Sequence, residues 1–121
     1  MAQYPQGIFQ SLQYLLKKVK ILALDKQPVY KVTAIGTNAI YTIRGRGFYN
    51  IIDNTSVNAS IQFPDPALMQ GQTIILYAYL IYPIISTYAP LIAGVVLTDT
   101  ALQSTYTFVS NGTNWMGTSL T

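Results

Sequence analysis

The stretch "TYTFVSNGTNWMG", residues 105–117, reads as a strand up to Ser110, a tight polar reversal over 111–114, and the start of a closing strand at Trp115, the only tryptophan in the chain. An Asn-Gly pair between strand-like runs is a strong hairpin signal, because both residues tolerate positive φ. A single indole directly after such a turn fits a closing strand that plugs one end of a β-barrel or β-sandwich. The fold therefore turns on whether the rest of the chain supplies strands for it to close.

Working back from this hairpin, nearly everything from Val29 onward is strand-like. "VYKVTAI" (29–35), "AIYTI" (39–43), "FYNII" (48–52), "NASIQF" (58–63), "TIILYAYLI" (73–81) and "AGVVLT" (93–98) are separated by turn signals. Among these are "GTN" (36–38), "DNTS" (53–56) and the two-proline loop "PDPALMQGQ" (64–72). "RGRG" (44–47) reads as a bulge or bend, since its glycines relax the backbone where pairing changes. In "NASIQF" the alternation places Ala59, Ile61 and Phe63 on one side. Short strands at this spacing predict a mainly β fold, an antiparallel β-sandwich or barrel with a jelly-roll-like outline, over residues 28–121.

Residues 1–27 are different. Ile8, Leu12, Leu15, Val19 and Leu22 recur at spacings of four and three, a heptad-like seam, and Phe9, Leu16 and Ala23 widen it on one side. Lys17, Lys18 and Lys20 fall away from the seam, and Pro28 ends the pattern. The spacing predicts one short N-terminal α-helix over 6–24. A helix of this length is marginal alone and needs a surface to pack on. The segment is therefore expected to serve as an anchor or trimerisation element, with these five residues as its interface.

Composition narrows the function. Half of the 121 residues are hydrophobic and only 9% are charged, with ten tyrosines. A monomer of this size ordinarily carries far more surface charge. Extensive contact with other subunits is expected, because tyrosine suits positions with one end buried and the other wet. Positive charge stops at Arg46, and beyond it only Asp53, Asp65 and Asp99 are charged. The few basic residues lack the aromatic interleaving of a nucleic-acid site, so no nucleic acid is expected. The longest apolar run, "IILYAYLIYPII" (74–85), is too short for a spanning helix, and neither a membrane nor a secretory signal is expected.

The chain has no histidine, cysteine or glutamate. That removes the Ser-His-Asp, nucleophilic-cysteine and histidine-metal constellations, so no catalytic residues, no metal ligands and no cofactor are expected. The four aspartates sit in or beside turns, where Asp normally caps its own backbone. "NTS", "NAS" and "NGT" match the glycosylation sequon but read as turns.

Taken in order, "VNASIQFPDPALMQGQTIILY" (57–77) and "AGVVLTDTALQSTYTFVSNGTNW" (93–115) resemble the tip modules of bacteriophage tail-fibre, tail-spike and head-fibre proteins. In those modules an alternating strand ends at a Leu-Pro-Asp-like corner, a Gly-x-Thr-Ile strand follows, and the final hairpin reads Thr-x-x-Val-Ser-Asp-Gly-x-x-Trp. The matching residues are Phe63, Pro64 and Asp65, then Gly71, Thr73 and Ile74, then Val109, Ser110, Gly112 and Trp115, with Asn111 where the family more often has Asp. The resemblance spans about half the chain. It implies a homotrimeric viral structural protein. With one short helix in place of a long fibre shaft, the expectation is a small knob on the virion: a capsid-decorating, minor capsid or short head-fibre protein. Its partners would be itself and capsid or other virion proteins. The alternative is a host-attachment tip that binds a receptor or glycan. For that reading Tyr77, Tyr79, Tyr82 and Tyr88 are candidates for a ligand surface, or for a subunit surface. Phe63, Pro64, Gly71, Gly112 and Trp115 are expected to be core and turn residues.

Overall fold

A computed structural model describes residues 27–120. The helix expected over 6–24, with Ile8, Leu12, Leu15, Val19 and Leu22, lies outside the described residues. The described chain is mainly β. It forms nine strands: β1 (Val29–Val32), β2 (Ile40–Thr42), β3 (Gly47–Ile51), β4 (Ser60–Gln62), β5 (Thr73–Ala78), β6 (Leu91–Ile92), β7 (Val95–Val96), β8 (Ser104–Ser110) and β9 (Trp115–Leu120). A 3-10 turn at Pro66–Leu68 follows β4, with the Asp65 carboxylate accepting from the Ala67 amide at 2.9 Å.

Seven strands form one sheet in the order β1-β3-β5-β8-β9-β6-β7, and β2 pairs with β4 in a second. The second layer extends beyond these two strands. The Ile61 amide donates to the Pro83 carbonyl, the Ile85 amide to Ile61, and the Ile84 amide to Thr98, so segments near 83–85 and 98–100 continue its ladder.

The expected antiparallel arrangement needs correction, because the large sheet is mixed. β8 pairs antiparallel with β5 and β9, and β6 with β7, but β1–β3, β3–β5, β6–β9 and β2–β4 are parallel. The cause is the path of the chain. From β1 to β5 it alternates between layers, so each return to the large sheet follows a strand laid down in the other one. A connection that long brings the next strand back in parallel, whereas a tight turn would have reversed it. The turn-like segments at 36–38 and 53–56 are therefore corners between layers, not hairpins.

Alternation decides which side chains go inside. On β3, β5 and β8 every second residue is buried, as the two-residue period of a strand requires. Tyr49, Ile51, Ile74, Leu76, Ala78, Tyr106, Phe108 and Trp115 from the large sheet share one core cluster with Ile43, Ile61, Phe63, Tyr82 and Ile84 from the second layer. Phe63 bridges the layers, packing edge-on against Phe108 at 5.1 Å and tilted against Trp115 at 6.4 Å.

One glycine is required by this packing. Gly117 on β9 lies directly opposite Phe108 on β8. A Cβ at 117 would fall on Cδ1 and Cε1 of the Phe108 ring, far inside contact distance, and 3.1 Å from the Thr107 carbonyl. Phe108 is fully buried between Phe63 and Tyr106, so its ring has no free direction in which to move. Gly117→Ala is expected to destabilise by about 1–3 kcal/mol through overpacking. A lower urea midpoint at unchanged m is the expected readout; an unchanged midpoint would show that the ring can shift.

Candidate functional site

The residues carrying the fibre-tip resemblance, far apart in sequence, meet at one end of the molecule. Trp115 is fully buried and its Nε1 donates to the Pro64 carbonyl at 2.8 Å. The buried Ser110 hydroxyl donates to the Pro66 carbonyl at 2.6 Å and accepts from the Gly112 amide at 3.1 Å. The Gly71 amide donates to the Ser110 carbonyl, and the Ser110 amide to Gln72. The β8–β9 turn is itself fastened by the Asn111 carboxamide oxygen, which accepts from Thr113 and Asn114. Gly71 and Gly112 both hold positive φ, and a Cβ at Gly112 would press on Gln70 at 3.2 Å. Pro carbonyls lie where the loop cannot offer a ladder donor, so the hairpin supplies the donors instead. This clasp locks the 63–72 loop to the hairpin and is structural throughout.

A second tie forms at Asp53, which is 1% exposed. Its carboxylate accepts from the amides of Ile35 (2.7 Å), Thr55 (2.8 Å) and Ser56 (3.1 Å) and from the Thr55 hydroxyl (2.9 Å). Burial by itself raises this carboxyl's pKa. The Ile35 amide, with Ser56 and Thr55, more than offsets that and holds it well below the usual carboxylate range. Its backbone carbonyl also accepts from the Tyr82 hydroxyl. One residue thus fastens the β1–β2 connection, its own loop and the segment after β5.

The four tyrosines singled out from sequence do not form one exposed surface. Tyr82 is a correction. It is only 4% exposed, its hydroxyl is engaged by Asp53, and burial, then the Asp53 charge, pushes its phenol up. It is a core residue because a bulky ring between the layers could reach a carbonyl partner there. Tyr77 lies half-buried on the outer face of the large sheet, in register with Asn50 and Thr105. Tyr79 is exposed just beyond β5. Tyr88 is exposed at positive φ and lines a cleft of about 240 Å³ with Pro66, Ser86 and Asn114.

The surface that sequence reading missed is the outer face of the seven-stranded sheet. Register aligns its side chains in rows. Thr73, Val109, Met116, Leu91 and Val96 cross five strands in one row. Val29, Phe48, Ile75, Thr107 and Thr118 form the next. Among the described side chains on this face, Lys31 is the one charge. Val29 is 71% exposed and Val96 51%, with Val109 and Met116 also exposed. The signal was present as the alternate, outward residues of each strand, but which strands lie side by side is not a local property.

Comparison with protein-family models, characterised proteins and solved structures finds no match to this chain.

Proposed function

We propose that the protein is a virion structural protein: a homotrimeric capsid-decorating, minor capsid or short head-fibre knob protein, with a sandwich-like, jelly-roll-type body and an anchor in residues 6–24. The observation that carries this reading is the broad outer sheet face, which has a single charge and open valine and methionine side chains in its rows. Open apolar side chains aligned on one nearly charge-free face favour an interaction site in a small protein. A chain with so few charges has little else to keep such faces apart. The fibre-tip resemblance supplies the trimer and the virion setting. The clasp at Pro64, Ser110 and Trp115 gives its motif residues a common structural purpose.

Sedimentation of the full chain tests the assembly. A stable species of three 13.4 kDa chains at micromolar concentration is expected. The double variant Val109→Asp, Met116→Asp should dissociate yet remain folded, since both side chains point away from the core. A wild-type monomer would overturn the trimer. Leu15→Asp with Val19→Asp should leave the β body folded but absent from purified particles, and normal incorporation would move the anchor to the β body.

A further inference from the structure

A cleft of about 400 Å³ opens where the two layers end together, at edge strands β1 and β2. It is lined by Tyr30, Ile40, Tyr41, Thr42, Arg44 and Tyr49. From this arrangement we propose that the cleft is a binding site for a sugar ring bearing a carboxylate, of the uronic or sialic acid class.

The walls come from the backbone. Tyr30 and Tyr49 are opposite each other on the paired strands β1 and β3, and their rings stack at 4.7 Å with 19° between planes. Gly47 makes room for this. A Cβ there would lie 2.8 Å from the Pro28 carbonyl and 3.0 Å from Tyr30 Cε2. Tyr41, from the other layer, meets Tyr49 edge-on at 6.2 Å. The Tyr49 hydroxyl donates to the Gly45 carbonyl at 2.6 Å and accepts from the Gly45 amide at 3.3 Å, so the floor is rigid and its polar group satisfied. Tyr49 is only 2% exposed and serves as the support, while the Tyr30 and Tyr41 rings packed on it offer the apolar surface at little cost in side-chain freedom, as small-ligand sites require.

The rim is polar and, among the described residues, uncommitted. Tyr30 and Thr42 are exposed and Tyr41 half-exposed, and their hydroxyls make no hydrogen bond to another described residue. Hydroxyl groups around an aromatic floor match a polyhydroxylated ring, which has apolar faces and a polar edge. Arg44 adds a planar fork suited to bidentate contact with a carboxylate. The described carboxylates are engaged elsewhere: Asp53 with Ile35, Thr55 and Ser56, Asp65 with Ala67, and Asp99 with Thr98. Burial and then Tyr30 push the Tyr41 phenol up while the Arg44 charge pulls it down, so the guanidinium acts on the aromatic cluster itself. One guanidinium in the lining matches one carboxylate; a phosphate is ordinarily gripped by several cations or a set of backbone amides. This inference does not depend on the virion assignment.

The test is an NMR titration of the full chain with D-galacturonate, D-galactose and thymidine monophosphate. Saturable shifts at Tyr41, Thr42 and Arg44 are expected with galacturonate, at a Kd of about 1 mM for a ligand of this size. Galactose should bind about tenfold more weakly, the loss of one charge-assisted bidentate contact. Arg44→Gln should reduce galacturonate to the galactose level while keeping the spectrum of a folded protein, since Arg44 is exposed. Lys31→Gln should leave affinity unchanged. Any of four results overturns the proposal: equal affinity for the two sugars, no loss in Arg44→Gln, the same loss in Lys31→Gln, or no binding at about ten times the expected Kd. Tighter binding of the nucleotide than of galacturonate would also overturn it, in favour of a phosphate site.

Discussion

Trp115→Ala is expected to cost about 3–5 kcal/mol, the range for truncating a buried large aromatic. Three losses combine. The indole is fully buried, so its removal leaves a cavity in the shared core. Phe63 loses one of the two rings it packs against. The Pro64 carbonyl loses its Nε1 donor, and with it one of the bonds that hold the 63–72 loop to the β8–β9 hairpin. Against a total stability of about 5–15 kcal/mol for a domain, this is enough to unfold much of the population near physiological temperature. Trp115→Phe should recover most of the packing but not the bond, and should fall between the two. The readout is the urea midpoint. A midpoint for Trp115→Ala close to wild type would mean that the clasp contributes little and that Phe63 and Phe108 close the core unaided.

Asp53→Ala is the second large effect, expected at about 2–4 kcal/mol. It strips the acceptor from the amides of Ile35, Thr55 and Ser56, each worth about 1–3 kcal/mol where water cannot replace it. Thr55 is exposed enough for water to satisfy part of the deficit, which sets the upper limit. The same site predicts a pH dependence. The folded pKa of Asp53 is depressed, so its stabilisation is complete above the unfolded carboxyl value near pH 4 and is lost as pH falls below that toward the folded value. Wild-type melting temperature should therefore decline on acidification below about pH 4. Asp53→Asn, which keeps an acceptor oxygen but cannot titrate, should be less stable at neutral pH and show a shallower acid slope. A slope equal to wild type would assign the acid sensitivity to other groups.

The sites differ in how far they could be read beforehand. The clasp was the most accessible, because turn chemistry is local. Asn111-Gly112 marks a reversal by its own backbone preferences, and alternation in 58–63 places Ala59, Ile61 and Phe63 on the side that is in fact buried. The tendency of Asp53 to cap a turn was also legible, since a short carboxylate reaches nearby amides. Its reach to Ile35 and the contact from Tyr82 were not, because both cross between segments that touch only after the layers stack. Tyr82 was misplaced for a different reason. In an apolar run such as 74–85, composition alone does not say which rings turn inward. Alternation does: the two-residue phase of β5 runs on past Ala78, with Leu80 half-buried and Tyr82 and Ile84 buried between exposed Tyr79, Ile81 and Pro83, and it separates Tyr82 from Tyr77 and Tyr79.

Residue order by itself determined a mainly β chain, the position of its closing hairpin, the burial of Phe63 and Trp115, and the absence of histidine, cysteine and glutamate. Each follows from two-residue periodicity, turn preference or composition, properties contained within a few neighbouring positions. Only the tertiary structure decided strand order and direction. A turn signal shows that the chain bends but not whether the next strand bonds to the last one or crosses to the other layer. That choice rests on the summed burial of both faces, and from it came the parallel pairs, the outer face whose one charge among the described side chains is Lys31, and the aromatic cleft beside Arg44, where β1, β2 and β3 bring Tyr30, Tyr41 and Tyr49 together.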